Sequence, residues 1–240
     1  MPTEQNPVVV INADCLGALA LLPGQIVSAV VTDPPYGTEG LGGGYGREHL
    51  TIECDESLDT VAAALPAVTR VLKPNSWFAM FSATKTRFDL ETLLVAAGIG
   101  ALGEVVWDKG APGLGYHIRY AHETVLVRRW GKPHRPNDPL LSVYRHTARG
   151  DSSHPHEKPV GLMRRLIRWT TQPGDLILDP FAGSGTTGVA AVAEGRRAIL
   201  VEREPKYAEI CRRRVAEALG VGKGSLLRAT LPDLFTGVGE

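Results

Sequence analysis

Two hydrophobic periods alternate along this chain. Val8 to Asn12 is a short apolar run that reads as a buried strand, and LGALALL, after Asp14 and Cys15, has helical spacing until Pro23-Gly24 stops it. IVSAVVT, from Ile26 to Thr32, has six of seven residues suited to a buried strand, and Pro34-Pro35 then forbids both further pairing and helix. Asp33 and Tyr36 therefore belong at that strand's C-terminal mouth. Six glycines from Gly37 to Gly46, with no apolar period, predict a loop beside it, suited to a lid or clamp. Thr60–Leu72 is spaced as a helix around Pro66, Lys73-Pro74-Asn75 ends it, and Trp77–Phe81 is a strand. Thr86–Ala97 is an amphipathic helix closed by Gly98, and Leu102–Trp107 is the next strand.

Past the Gly-rich stretch Asp108–Tyr120, the apolar run Glu123–Val127 predicts an antiparallel edge hairpin with Leu102–Trp107. Arg128 to Pro155 is polar, basic and Pro-rich, with one short strand at Leu140–Tyr144 and too few apolar residues for a separate domain. The helix Val160–Thr171 carries Leu162, Met163, Leu166, Ile167 and Trp169 on one side and Arg164, Arg165 and Arg168 on the other. Asp175 to Val192, DLILDPFAGSGTTGVAAV, is a strand, a glycine turn and a small-residue helix start, and AILVE ends the last strand at Glu202. This alternation predicts an α/β fold, a doubly wound and mostly parallel sheet with helices on both faces.

A length of 240 residues with 43% hydrophobic and 22% charged residues fits one α/β domain and excludes a disordered chain. Cys15, Cys54 and Cys211 are odd in number, far apart and without metal-ligand spacing, which points to a reducing compartment and no structural metal. The start lacks a basic leader, and no window approaches eighteen uninterrupted apolar residues, so a cytoplasmic protein without a membrane anchor is expected. Formal net charge is zero, but Arg119–Arg168 holds eleven Lys or Arg against four acids, leaving that segment at +7 and the remainder at −7. Such asymmetry suits a polyanion-binding face, although a solvated helix with scattered loop arginines would look the same.

Two motifs carry candidate chemistry. Asp33-Pro34-Pro35-Tyr36 sets a carboxylate and carbonyl acceptors beside a ring face, a slot suited to the amino group of a flat heterocycle, though Asp before Pro also ends strands for purely structural reasons. The turn after Asp179 lets backbone approach a ligand closely. Gly183-x-Gly185-x-x-Gly188, with Glu202 nineteen residues after Gly183, also satisfies the dinucleotide fingerprint, which keeps a dinucleotide-binding oxidoreductase as the competing reading. The acid-Pro-Phe before the glycines and the separate acid at Asp33 are not needed by such an enzyme, and a nucleoside cofactor without pyrophosphate accounts for more. Asp14, at the end of the first strand, can cap the following helix or reach a ligand.

Together these pieces resemble the S-adenosylmethionine-dependent amino-methyltransferases of DNA, in the permuted order with the catalytic motif ahead of the glycine motif. The resemblance runs from Asp14 to about Val215 and includes Trp107-x-Lys109, His122-Glu123, His156-Glu157-Lys158-Pro159 and Tyr207. It implies a single Rossmann-like methyltransferase domain over residues 1–240, with a seven-stranded sheet, one antiparallel hairpin and a short target-recognition insertion at about 128–155. It implies Asp33, Pro34, Pro35 and Tyr36 as catalytic residues. Cofactor contacts would come from Asp14, Asp33, Lys158, Pro159, Asp179, Phe181, Gly183, Ser184, Gly185, Thr186 and Glu202. Lys158-Pro159 also suits helix initiation alone.

The implied reaction is methylation of the N6 amino group of a flipped-out adenine in a specific duplex DNA sequence. Asp33, where cytosine enzymes of this resemblance more often carry Ser, favours adenine over N4 of cytosine. A catalytically silent DNA-binding protein is opposed by the intact Asp33–Tyr36 motif. Basic residues near the loops, Arg47, Lys109, Arg119, His122, Arg128, Arg129, Arg145 and Arg149, are the candidate DNA contacts, and no metal is required. No helicase or nuclease motif is present, so a stand-alone methyltransferase is the simpler arrangement, whether or not a restriction partner exists. A recognition segment under thirty residues long is too small to read a long site alone, which predicts a homodimer on a palindromic duplex.

Overall fold

The computed structural model of the chain describes residues 1–4, 6–36, 58–111, 117–136, 138–146 and 158–221. The expected glycine loop at 37–46, together with Arg47, Cys54, Arg149, His156 and Glu157, lies outside the described residues.

Elements follow in the order β1 (Val8–Asn12), α1 (Cys15–Leu21), β2 (Val27–Thr32), α2 (Asp59–Val71), β3 (Leu72–Ser82), α3 (Arg87–Ala96), β4 (Gly100–Asp108) and β5 (His122–Trp130). The short β6 (Val143–Arg145) comes next, then α4 (Val160–Thr170), β7 (Leu176–Asp179), α5 (Thr186–Ala193), β8 (Arg197–Glu202) and α6 (Pro205–Leu219). They build one sheet in the order β1-β8-β7-β2-β3-β5-β4-β6. Only β5 is antiparallel to its neighbours, β3 and β4. The fold is the expected doubly wound α/β sheet with a β4–β5 hairpin. It has eight strands rather than seven because Val143–Arg145 pairs with β4 at the edge.

Strand residues alternate between two cores. Val9 and Ile11 face the side covered by α1, α2 and α3, with Leu19, Leu65 and Leu90, whereas Val8 and Val10 face the side covered by α4, α5 and α6, with Leu162, Ala190 and Val215. Burial on both faces explains why β2 and β7 are mostly apolar, with Ser28 the one half-buried polar residue within them and Thr32 and Asp179 at their ends. Strand β3 begins five residues earlier than expected. Leu72 pairs with Val27, and a register shift before Ala29–Trp77 absorbs Lys73-Pro74-Asn75, with Asn75 at φ 63°.

The central strands β7 and β2 lie side by side, yet the chain leaves β7 toward β8 and leaves β2 toward β3, on the opposite side. That divergence opens a crevice at their C-terminal ends, the place where sheets of this kind bind ligands. Asp179 ends β7, and Asp33 directly follows β2.

Candidate active site

At the crevice the two strand ends are tied together. The Thr32 hydroxyl donates to Asp179 Oδ1 at 2.7 Å, the Phe181 N–H donates to the same oxygen at 3.1 Å, and the Thr187 hydroxyl donates to Oδ2. Burial raises the Asp179 pKa to about 6 against these three donors. Asp179 is 2% exposed and braces the turn from beneath.

Above it, Gly183 (φ 51°) and Gly185 (φ 83°) hold left-handed conformations that favour glycine. A Cβ at Gly185 would collide with Cys211 Sγ, because α5 begins hard against α6. A Cβ at Gly183 would meet no atom within 4 Å, so that side of the turn is an open cradle. Glu202 closes it from β8. Its Oε2 accepts the Gly183 N–H at 2.8 Å and its Oε1 accepts the Glu204 N–H at 2.7 Å, while burial raises its pKa. Asp14 stands on the adjoining strand end, where the Ala13 N–H donates to the Glu202 carbonyl at 3.1 Å. Asp14 Oδ1 caps α1 through the N–H groups of Leu16 (2.9 Å) and Gly17 (3.3 Å).

Ser184 and Thr186 are turned to another task. Arg214 of α6 donates to the Ser184 carbonyl (2.9 Å), the Ser184 hydroxyl (2.8 Å) and the Thr186 hydroxyl (3.3 Å), and both side chains are buried. These hydroxyls lock α5 onto α6.

The mouth of β2 is a charge network. Lys158, 7% exposed just before α4, places Nζ 2.8 Å from Asp33 Oδ2 and 2.9 Å from Glu123 Oε2. The Tyr36 hydroxyl donates to Asp33 Oδ1 and lies 3.3 Å from Glu123 Oε2, and Lys109 pairs with Glu123 Oε1. Lys158 Nζ also lies 5.1 Å from the Tyr36 ring centroid and 5.3 Å from that of Phe81. Burial raises the Asp33 pKa in spite of Lys158. Burial pushes Glu123 upward as well, but Lys158 and Lys109 outweigh it and hold its carboxyl below the usual range. Burial lowers Lys158, and Asp33 with Glu123 more than restore it, so its ammonium is held above the ordinary lysine range. Pro34 is buried and Pro35 half-buried. Pro159 occupies the N-cap of α4, so the motif also starts that helix.

The expected DNA contacts divide by position. Lys109, His122 and Arg145 lie at the mouth end, where Asp108 pairs with His122 and Arg145 makes a 2.7 Å ion pair to Asp108 while 78% exposed. Arg119 is exposed. Arg128 is corrected to a structural residue: it is 2% exposed and donates to the Gly103 carbonyl at 2.7 Å, the Val127 carbonyl at 3.0 Å and Glu91 at 2.9 Å. Arg129 is exposed and stands beside Gly100 at the start of β4, the end of the sheet away from Asp33. Sequence reading gave no role to Thr32, Thr187, Glu123 or Arg214. The dipeptide His122-Glu123 was the one signal that could have marked Glu123.

A crevice at the switch point, a glycine cradle closed by an acid and an acceptor slot beside it define a class I methyltransferase architecture. The family model described as DNA methylase, N6_N4_Mtase, matches residues 27–213, and the chain belongs to that family, whose methyl donor is S-adenosyl-L-methionine. It is 34% identical over 206 residues to a protein of Escherichia coli (strain K12) named as the methylase YubD, covering 86% of this chain and 89% of that one. TTHA0409 of Thermus thermophilus, solved with S-adenosyl-L-methionine, matches with a TM-score of 0.64 at 25% identity over 88% of this chain and 95% of its own. The PvuII DNA methyltransferase, cytosine-N4-specific, shares the fold with a TM-score of 0.70 at 20% identity, over 87% of this chain and 86% of its own. Among the described residues no cluster of His, Cys, Asp or Glu could hold a metal ion, and no helix is long and apolar enough to cross a membrane.

Proposed function

We propose that this DNA methyltransferase modifies the N6 amino group of adenine, flipped out of a specific duplex sequence, and that it works in the cytoplasm. The observation that carries the reading is the acceptor slot of Asp33 and Pro34, joined to the glycine cradle by the 2.7 Å Thr32–Asp179 hydrogen bond.

The cradle fits the donor. The side of Gly183 without neighbours within 4 Å leaves room for it, and each Glu202 oxygen, already accepting one N–H, has a second lone pair for a ribose hydroxyl. Glu202, Gly183, Gly185 and Phe181 would hold it, with Asp14 toward the adenine edge and Asp33, Lys158 and Pro159 toward the methionine end. Asp179 acts from beneath by fixing the turn. S-adenosyl-L-methionine, when bound, supplies an electrophilic methyl group.

The chain's own residues prepare the acceptor. An exocyclic amine is a poor nucleophile because its lone pair is delocalised into the ring. Asp33 and the Pro34 carbonyl accept its two hydrogens, draw the nitrogen toward tetrahedral geometry and localise the lone pair. Tyr36 offers a ring on which the flipped base stacks, which offsets part of the few kcal/mol of unstacking. Asp33, in place of the Ser more frequent in cytosine enzymes of this resemblance, supports adenine.

The segment at about 128–155 is the proposed reader of the sequence, with Lys109, Arg119, His122 and Arg145 on the DNA-facing rim; Arg47 and Arg149, outside the described residues, are proposed as further DNA contacts. Its small size supports a homodimer on a palindromic site, and a strictly monomeric mass in light scattering with and without duplex would remove that part. Methylating plasmid DNA with the purified protein and sequencing it for modified bases tests the main reading. Modified adenines in one recurring context are expected. Modified cytosines alone would move the target to N4, and unmodified DNA would overturn the reading.

A further inference from the structure

Glu123 stands at the centre of the mouth network and has no part in the reaction as described so far. Both Asp33 oxygens are engaged: Oδ1 accepts the Tyr36 hydroxyl and Oδ2 accepts Lys158 at 2.8 Å. Each keeps a second lone pair, but an amino group that shares an oxygen with the Tyr36 hydroxyl or the Lys158 ammonium meets a weakened acceptor. The Tyr36 hydroxyl has a single hydrogen and two carboxylates within reach, Asp33 and, at 3.3 Å, Glu123 Oε2. Lys109 occupies Glu123 Oε1 and fixes that carboxylate, so Oε2 stays turned toward Tyr36 and toward Lys158 at 2.9 Å.

From this geometry we infer that Glu123 is a positioning residue: as the base enters, it takes over the Tyr36 hydroxyl hydrogen bond and so frees Asp33 Oδ1 to accept an amino hydrogen. No bond beyond hydrogen bonds is made or broken. Glu123 has a second effect through Lys158, since an ammonium shared between two carboxylates withdraws less acceptor strength from Asp33 than one held by Asp33 alone. Lys158 is 7% exposed, so water offers little relief if that sharing is lost. The low pKa of Glu123 agrees, because it keeps the accepting form charged near neutral pH.

The inference rests on the proposed role of Asp33, and its test separates the two. Glu123→Gln keeps the shape but removes the charge. Single-turnover methyl transfer to a duplex bearing the mapped site should slow roughly 10- to 100-fold, while donor affinity in calorimetry changes less than about threefold, the split of an interaction made in the reacting state. Calorimetric stoichiometry counts the folded sites, so a partly unfolded variant still yields a rate per site. Adding Tyr36→Phe removes the hydroxyl that competes for Asp33 and keeps a stacking ring, so the double variant should recover about tenfold over Glu123→Gln. A structural role for Glu123 predicts no such rescue. Wild-type rates for Glu123→Gln, or a double variant no faster than Glu123→Gln, would overturn the inference. If Asp33→Ala is inactive in the same assay, the proposed function stands in either case, and if Asp33→Ala is active, both fall.

Discussion

The turn after β7 and the mouth after β2 are neighbours joined by one hydrogen bond, yet they are built on opposite plans. In the turn, donors meet fixed acceptors: Asp179 takes two hydroxyls and one backbone N–H, Glu202 takes two backbone N–H groups, and the Gly183 side stays open. On that side a Cβ at Gly183 would meet no atom within 4 Å. At the mouth, two carboxylates and two ammoniums neutralise one another, and both Asp33 oxygens already have a donor. For the proposed transfer, that site exchanges a partner as the base enters. Under the proposed function, this difference divides the labour, with the turn preformed for the donor and the mouth poised for the amine.

After Asp33→Ala, the largest change should come from Glu202→Ala, which opens the cradle. Donor dissociation constants should rise about 10- to 100-fold while turnover at saturating donor stays within about threefold, because a ribose contact is present before and during reaction. Calorimetry and saturation kinetics read both quantities. An unchanged affinity would show that the preformed turn does not hold the donor.

Asp179 tests the brace under the turn. Its carboxyl is raised from an ordinary 3.8 to about 6 by burial, so the native state binds the proton more tightly than the unfolded chain does. The sign follows: the group adds stability below pH 4 and loses it as pH rises through about 6, whereas Asn at this position does not titrate. Between pH 5 and pH 7.5, wild type should therefore lose about 1–2 kcal/mol relative to Asp179→Asn. Any constant offset from the amide cancels in that difference. Parallel stability curves across this range would refute the buried, raised carboxyl.

The smallest effect belongs to the rim. Arg145→Ala should weaken duplex binding a few-fold and reduce its salt slope by about one, as expected for one phosphate contact, whereas Arg129→Ala should change neither. Equal losses from both, in fluorescence anisotropy across a salt series, would contradict the assignment of the two ends of the sheet.

Much of this arrangement was legible along the chain because the signals are local. Pro34-Pro35 forces the β2 strand to stop with Asp33 at its mouth, and Gly183 and Gly185 mark a turn that side chains would strain or block. What stayed hidden depends on partners far apart in sequence. Arg128 reads as a free basic residue until Glu91, 37 positions earlier, is brought beside it by α3. Ser184 and Thr186 look like ligand hydroxyls until Arg214 of α6 is seen to hold them. Glu123 shares its network with Asp33, Tyr36, Lys109 and Lys158, which come from three other places in the chain, and no periodicity announces such a meeting.

The division between binding and chemistry is tested most directly on Asp33→Ala, with donor affinity by calorimetry and methyl transfer to plasmid DNA measured on the same preparation. The account predicts that donor binding weakens by no more than about tenfold, Asp33 being one of several groups around it, while transfer falls by at least about a thousandfold, because the acceptor is needed chiefly as the amine changes geometry. Transfer within tenfold of wild type, or loss of donor binding in step with loss of transfer, would contradict it.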